Sequence, residues 1–383
     1  MNIVIAPDSF KGSLTACEAC NYIENGIKKV VSDVNIIKVP MADGGEGTVQ
    51  SLVDATLGKT IKKKVKGPLL EEVEAFYGIL GDGKTAVIEM AAASGLPLIE
   101  KEERNPLKTT TYGTGELIKD AIDKGCSEII IGIGGSATND GGAGMAMALG
   151  AKFLDKNGKS IGFGGGELGN IEKIDLASFN SLLKNVNIIA ACDVDNPLCG
   201  EKGASYVYGP QKGATKEMVE ILDENLLHYG KLLELKFNKS IINYPGAGAA
   251  GGLGAGLLVF LNAELKRGID IVIEVTGLEE KVQQADLVIT GEGKIDFQTS
   301  FGKTPYGVAQ ISKKYNKPVI AIAGSIGDGA EELYNKGIDS IFSIIDKPLS
   351  LEEAIKNSGE LLENSMERII RLMNISKVYD HSK

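Results

Sequence analysis

The 383-residue chain carries a formal charge of −10, with 24% charged and 43% hydrophobic residues. That is the balance of a globular protein large enough for two or three domains, with no need of disulfides or structural metal. An acidic chain with no basic run argues against nucleic-acid and anionic-membrane partners, and only two histidines, His228 and His381, leave no material for a histidine triad or a histidine-rich zinc site.

Along the chain, NIVIAP near the start reads as a short buried strand rather than a signal peptide. No apolar stretch approaches the ~20 residues of a membrane helix, so a cytoplasmic location is expected. Thr15 with Glu18 three residues on reads as a capping box opening a helix to about Val31. Cys17 and Cys20 then fall in its first turns, as two small packed side chains rather than a redox pair. VNIIKVPM is a second strand, and Gly44–Thr48 opens a helix to about Leu57. Strand–helix–strand–helix predicts a parallel, doubly wound sheet.

EEVEAFYGIL and KTAVIEMA alternate apolar and polar residues like antiparallel strands. Across their junction GILGDGKT, Gly78–Thr85, satisfies the phosphate-loop pattern G-x-x-x-x-G-K-[ST] at every defined position. A working phosphate loop needs a strand before it and a helix after it, because the helix N-terminus holds the anion. Here Lys84–Thr85 leads into strand-like AVIEMA, so GDGK reads as a hairpin turn on Asp82–Gly83. SEIIIGIGGS and NVNIIAACD are further buried strands. GAGAAGGLGAG, Gly246–Gly256, contains G-x-G-x-x-G, but the strand before it is weak and no acidic ribose reader follows. Close helix packing or a glycine loop over phosphates explains it as well as a dinucleotide fingerprint does. ADLVITG, KPVIAIAG and IDSIFSII return to the strand–helix habit, and a last helix spans about 351–373. FGKT, Phe301–Thr304, lacks the first glycine of the phosphate-loop pattern. The fold expected is α/β: a discontinuous, doubly wound (flavodoxin/Rossmann-like) parallel-sheet domain from residues 1–66 and 284–383, with a mixed α/β domain, 67–283, inserted.

Ligands of open α/β sheets sit beyond the carboxyl ends of the strands. Those ends deliver Asp8, Ser9, Lys11 and Ser13 after the first strand, Asp43 after the second, and Glu292, Lys294 and Asp296 in GEGKIDFQTS. The inserted domain delivers Gly134, Gly135, Ser136, Asn139 and Asp140 in GIGGSATNDGGAG, and Asp193 in ACDVDNPLCG. Runs of small residues with free amides suit anions, and strand-end carboxylates suit Mg²⁺ ligation or proton abstraction. Together they point to a site in the cleft between domains. Arg104, in ERNPLKTTTYGTGEL, could clamp a carboxylate or phosphate.

The segments APDSFKGSLTA, PMADGGEGT, RNPLKTTTYGTGELI, GIGGSATNDGGAGM, CDVDNPLCG, GAGAAGGLGAGL and ADLVITGEGKIDFQTSFGKTP, in this order over the whole chain, resemble the bacterial glycerate kinase family. The resemblance implies phosphorylation of D-glycerate by ATP with Mg²⁺, 2-phosphoglycerate being favoured over 3-phosphoglycerate, on a flavodoxin-like domain with an inserted α/β domain and no phosphate loop of the Walker type. Phosphoryl transfer needs in-line positioning, charge neutralisation and a carboxylate near the attacking hydroxyl. Strand-end position then assigns Asp8 or Asp193 as that carboxylate and Lys11 as partner of a phosphate or of the acid. Ser9, Ser13, Asp43, Arg104, Ser136, Asn139 and Asp140 are expected to contact substrate. Gly134, Gly135, Gly248, Gly251, Gly252, Glu292 and Lys294 are expected to contact nucleotide, and Asp43, Asp193 and Asp296 to ligate Mg²⁺. A homodimer stays open. The competing readings are a dinucleotide-dependent oxidoreductase of a small hydroxy acid and a non-catalytic sensor of small phosphorylated acids.

Overall fold

The computed structural model describes residues 1–45, 47–179, 183 and 185–380. In chain order the strands are β1 (Asn2–Pro7), β2 (Asn35–Lys38), β3 (Lys59–Lys66), β4 (Glu72–Ile79), β5 (Thr85–Glu89) and β6 (Glu128–Gly132). They continue with β7 (Lys152–Leu154), β8 (Lys173–Asp175), β9 (Asn187–Ala191), β10 (Glu264–Lys266), β11 (Leu287–Ile295), β12 (Val319–Ile326) and β13 (Ser340–Ser343). Two compact units result: Met1–Asp43, Gln50–Thr56 and Ile269–Lys383 form one, Gly44–Val49 and Leu57–Gly268 the other. The stretch 59–66, read from sequence with the first domain, pairs antiparallel with β4 in the second unit's sheet.

The first unit is a five-stranded sheet in the order β13-β12-β11-β1-β2, with every pair parallel. Renumbered within the unit this is 2-1-3-4-5, the flavodoxin-like doubly wound order. β1 is central and buried from Ile3 to Pro7, which is why NIVIAP is apolar at nearly every position instead of alternating. Ile3 and Ile5 pack with Ile23 and Ile27 of helix Ala16–Lys28 and with Leu362, Met366 and Ile369 of helix Ser358–Asp380. Thr15 caps the first of these helices as read: its hydroxyl accepts from Glu18 N at 3.2 Å, and Thr15 N donates to Glu18 Oε2 at 2.9 Å. Cys20 is buried, Cys17 half-buried, and neither is bridged. Burial pushes both thiols upward, the opposite of what a redox pair needs. The single helix expected over 351–373 is two, Leu351–Lys356 and Ser358–Asp380, broken where Asn357 Nδ2 turns back to Glu353 O at 2.9 Å.

The second unit has a six-stranded mixed sheet, β10-β9-β6-β5-β4-β3, antiparallel through β3-β4-β5 and parallel from β5 to β10, and a small antiparallel pair β7-β8. Its core gathers Tyr77, Phe153, Tyr229 and Phe260 with the buried aliphatics of β5, β6 and β9. GILGDGKT is a hairpin between β4 and β5. Gly83 N donates to Leu80 O at 2.9 Å, which puts Gly81 and Asp82 at the turn centre, and Gly83 follows with φ +70°. Asp82 closes the turn by accepting from Lys84 N and Thr85 N at 2.9 and 3.0 Å. Thr85 enters a strand, so no helix N-terminus is available to an anion there. GAGAAGGLGAG likewise lacks the strand a dinucleotide fingerprint requires, because the long helix Lys216–Phe237 and turns precede it. Ala250, Gly251 and Gly252 are left-handed (φ +53°, +69° and +86°), so regular helix begins only after them. A Cβ on Gly251 would run into Thr138 O, and one on Gly252 would lie 2.9 Å from Gly141 Cα. Close packing against loop 138–142 therefore explains these glycines.

Among the described residues no helix is long and apolar enough to cross a membrane. His228 Nε2 lies 2.7 Å from Ile171 O, a packing role, and His381 falls outside the described residues.

Candidate active site

In the first unit's sheet, β1 has β2 on one side and β11 on the other. This is the point where connections leave in opposite directions, and it opens a crevice beyond the strand ends. Asp8 follows β1 directly, and Glu292 lies toward the carboxyl end of β11. A pocket of about 360 Å³ is lined there by Asp8, Asp43, Glu292, Lys11, Lys294 and Lys303, with Ser9 and Ser13 beside them. Three acids and three lysines thus share one cavity, all from one unit.

Asp8 is 8% exposed. Its Oδ2 accepts from Thr304 Oγ1 at 2.8 Å and its Oδ1 from Ser9 N at 2.6 Å. Burial, and after it the Asp43 charge, lifts its pKa from 3.8 to about 6, against the pull of these hydrogen bonds. Glu292, also 8% exposed, accepts from Thr299 Oγ1 at 2.6 Å and faces Lys303 Nζ at 3.8 Å. Burial raises it to about 7, with Asp8 and Asp43 adding and Thr299 and Lys303 opposing. Asp296 pairs with Lys294 at 2.9 Å and accepts from Gln298 N at 3.0 Å, so Lys294 holds it below the usual carboxylate range. Ser13 Oγ donates to Ser358 Oγ at 2.6 Å. Lys11 is exposed on the Phe10–Leu14 turn, where Ser13 N donates to Phe10 O at 2.8 Å.

Lys303, which lines this pocket, and Thr304, which donates to Asp8, were not singled out in the sequence. Lys303 and Thr304 belong to the FGKT fragment set aside as an incomplete phosphate loop, yet they open helix Thr304–Lys314. The signal was a G-K-T run followed by a helix-compatible Thr-Pro, the very context that GILGDGKT lacks.

The second unit holds the other predicted residues. Asp140 is 1% exposed. Its carboxylate accepts from Thr110 Oγ1, Thr111 N, Thr111 Oγ1, Gly142 N and Gly144 N at 2.8–3.2 Å. Burial raises its pKa and these donors pull it down. Beside it lies Lys212, 2% exposed, whose Nζ donates to Thr138 O at 2.6 Å and Ser136 Oγ at 3.1 Å. Burial pushes its ammonium down to about 7, with Asp140 opposing. Ser136 also donates to Ala250 O at 3.3 Å. Asn139 Oδ1 accepts from Ser205 Oγ, while its Nδ2 is buried with no protein partner. Lys212 stands in GPQKGA, where nothing in sequence marks it, because its burial comes from tertiary packing. Gly134 and Gly135 are exposed after β6, and a Cβ on Gly248 would run into Pro197 O. Arg104 Nε donates to Ile99 O at 3.4 Å, and its backbone packs on Gly213, next to Lys212. Asp193 is exposed and accepts from Gly268 N at 3.0 Å. Asp193 thus belongs to the second unit, and Asp43 and Asp296 to the first. Among the described residues no group of three or more Asp, Glu, His or Cys forms a ready metal cage.

Comparison with known proteins bears on this arrangement along the full chain. The model of the glycerate kinase family matches residues 3–374. The chain belongs to the glycerate kinase family. It is 55% identical to a glycerate kinase of Bacillus subtilis over 98% of this chain and 99% of that one. It is 53% identical to the glycerate 2-kinase of Escherichia coli over 94% of each. A crystal structure of a protein assigned as glycerate kinase 2 from Salmonella typhimurium LT2 superposes with a TM-score of 0.92 at 50% identity, covering 98% of this chain and 99% of that one. As a member of the glycerate kinase family the chain is a phosphotransferase, which removes the oxidoreductase reading together with its missing fingerprint strand.

Proposed function

We propose that the chain transfers the γ-phosphoryl group of ATP to the 2-hydroxyl of D-glycerate, giving 2-phosphoglycerate and ADP. The observation that carries this is Asp8: a desolvated carboxylate with a pKa of about 6, at the switch point of a doubly wound sheet, in a cavity that three lysines also line. A general base works best when its pKa lies near the operating pH. Asp8 accepts the hydroxyl proton as the new oxygen–phosphorus bond forms and the bond from phosphorus to ADP breaks. Lys11, Lys294 and Lys303 supply positive charge to the phosphates and to the acid's carboxylate. Asp193, exposed and bonded to a backbone amide, has no comparable desolvation, so of the two candidate bases Asp8 is the better supported. That the E. coli relative is a glycerate 2-kinase supports the choice of hydroxyl.

Mg²⁺ fits the residues present. Asp43 raises the pKa of Asp8, and both raise that of Glu292, an excess of negative charge that a cation relieves. Asp43, with Asp296 as a further carboxylate of the same unit, is the candidate to hold it. Its chemistry would be neutralisation of phosphate charge, and one or two carboxylates suffice when phosphates supply the remaining ligands. Five free cysteines fit a reducing, cytoplasmic setting.

The test is ADP release from Mg·ATP with D-glycerate, L-glycerate or no acceptor, followed by phosphorus NMR of the product. Turnover confined to D-glycerate with a 2-phosphate signal is expected. Absence of turnover despite D-glycerate binding would return the chain to the sensor reading. In the same assay Lys84→Ala should leave kcat and the KM for ATP within about twofold, as for a surface substitution. A hundredfold loss would restore GILGDGKT as a phosphate loop.

A further inference from the structure

The pocket of the first unit is larger than a three-carbon acid requires, and its lining is of two kinds. One part is the ionic group around Asp8 and Lys303. The other is aliphatic: Ile344, Ile345, Leu351, Ala354 and Ile355. Ile344 and Ile345 follow β13, and the other three stand on helix Leu351–Lys356. That helix is fixed by a capping box in which Ser350 Oγ accepts from Glu353 N at 3.2 Å and Ser350 N donates to Glu353 Oε2 at 2.9 Å. Three of the wall residues are well exposed for their type, Leu351 at 77%, Ile355 at 39% and Ile345 at 37%. Large aliphatic side chains held against water on the wall of a cavity gain free energy only when an apolar surface covers them.

A molecule suited to this cavity carries a compact polyanion at one end and a flat, weakly polar body at the other. Glycerate has no apolar body, and a nucleoside polyphosphate has both parts. At about 360 Å³ the cavity is within the usual range of small-molecule sites. We propose that the base and ribose of the nucleotide lie against the Ile345–Leu351–Ile355 wall, with the phosphate chain at the ionic part of the lining that holds Asp8 and the lysines. This rests on the phosphoryl-donor reading above and adds to it the residues that recognise the nucleoside.

The probes are MgADP and Mg-pyrophosphate, which share a diphosphate and differ by the nucleoside. Their affinities are measured by calorimetric titration on the wild-type enzyme and on Leu351→Asn/Ile355→Asn. Both positions are solvent-exposed, so the substitutions leave the fold in place, and ligand-free melting curves check this. The wild type should bind MgADP at least tenfold tighter than Mg-pyrophosphate. The variant should lose roughly tenfold or more of its affinity for MgADP and none for Mg-pyrophosphate, with the KM for ATP raised and kcat kept. An unchanged ADP-to-pyrophosphate ratio in the variant, a wild-type ratio near one, or a loss confined to D-glycerate would each overturn the proposal. Wild-type turnover with D-glycerate and ATP is scored separately. If it is present while the ratio does not move, the nucleoside seat is wrong and the reaction stands; if it is absent, the reaction itself is wrong.

Discussion

Asp8→Asn should lower kcat by roughly 10²–10⁴-fold while leaving the ligand-free protein more stable at pH 8 than the wild type. Both effects come from one cause. Asp8 is taken out of water with Asp43 as a charged neighbour, so its carboxyl rises from 3.8 to about 6. A group whose folded pKa is raised favours the folded state fully below the unfolded value and loses that advantage as pH rises through the folded value. The penalty for ionised Asp8 is therefore absent near pH 3, grows between about pH 4 and 6, and is constant above. Its size is on the order of 2–3 kcal/mol, the equivalent of a shift of about two pKa units. Asparagine keeps the shape, its Oδ1 can accept from Ser9 N and its Nδ2 can donate to the Thr304 hydroxyl, but it carries no charge and cannot take a proton. Melting curves at pH 4 and pH 8 should show the variant's advantage appearing only at the higher pH. In the wild type, kcat/KM should rise with pH between about 5 and 8, as Asp8 and Glu292 lose protons in two macroscopic steps that belong to the pair. A variant that kept kcat within about threefold would remove Asp8 as the base.

The second large effect is on stability. Asp140→Ala should cost about 3–5 kcal/mol, because it strands the Thr111, Gly142 and Gly144 amides, two threonine hydroxyls and the Lys212 ammonium in a buried interior. That is a large part of a typical 5–15 kcal/mol of total stability. Adding Lys212→Met should recover part of the loss, since breaking one side of a buried charge pair harms more than removing both. Denaturant midpoints of the two single variants and the double variant give the coupling directly. Additive losses would mean that Asp140 and Lys212 act independently.

These two residues also mark how far sequence reasoning reaches. Asp8 was legible because it ends a short, wholly apolar strand, and strand ends of a doubly wound sheet are where ligands sit. The same rule found Asp43, Glu292 and Lys294, and the strand–helix alternation anticipated the α/β class. It found Asp140 too, but three of the five protein donors around its carboxylate, which make it an anchor of loop 138–144, come from threonines about thirty residues away. Lys212 was invisible, since a lysine between Gln211 and Gly213 reads as surface until packing buries it. Lys303 and Thr304 escape a motif reading because FGKT lacks the first glycine of the phosphate-loop pattern, although a helix follows it. The left-handed run at Ala250–Gly252 was beyond periodicity, being imposed by the loop it packs against.

The pairing of β1 with β11 has a consequence for how the chain is made. Ile3 lies opposite Leu287 in the register, so the central strand of the first unit has no neighbour on that side until most of the polypeptide exists. At about 5–20 residues per second, a ribosome leaves the emerged β1 waiting for roughly 15–60 s. Meanwhile the residues between, Leu57–Gly268, supply a sheet and core of their own. Order of synthesis therefore favours the inserted unit folding first, with NIVIAP exposed as an apolar segment in need of a holding chaperone. Arrest of translation shortly before Leu287 should yield nascent chains whose second unit resists protease while residues 1–43 are cut.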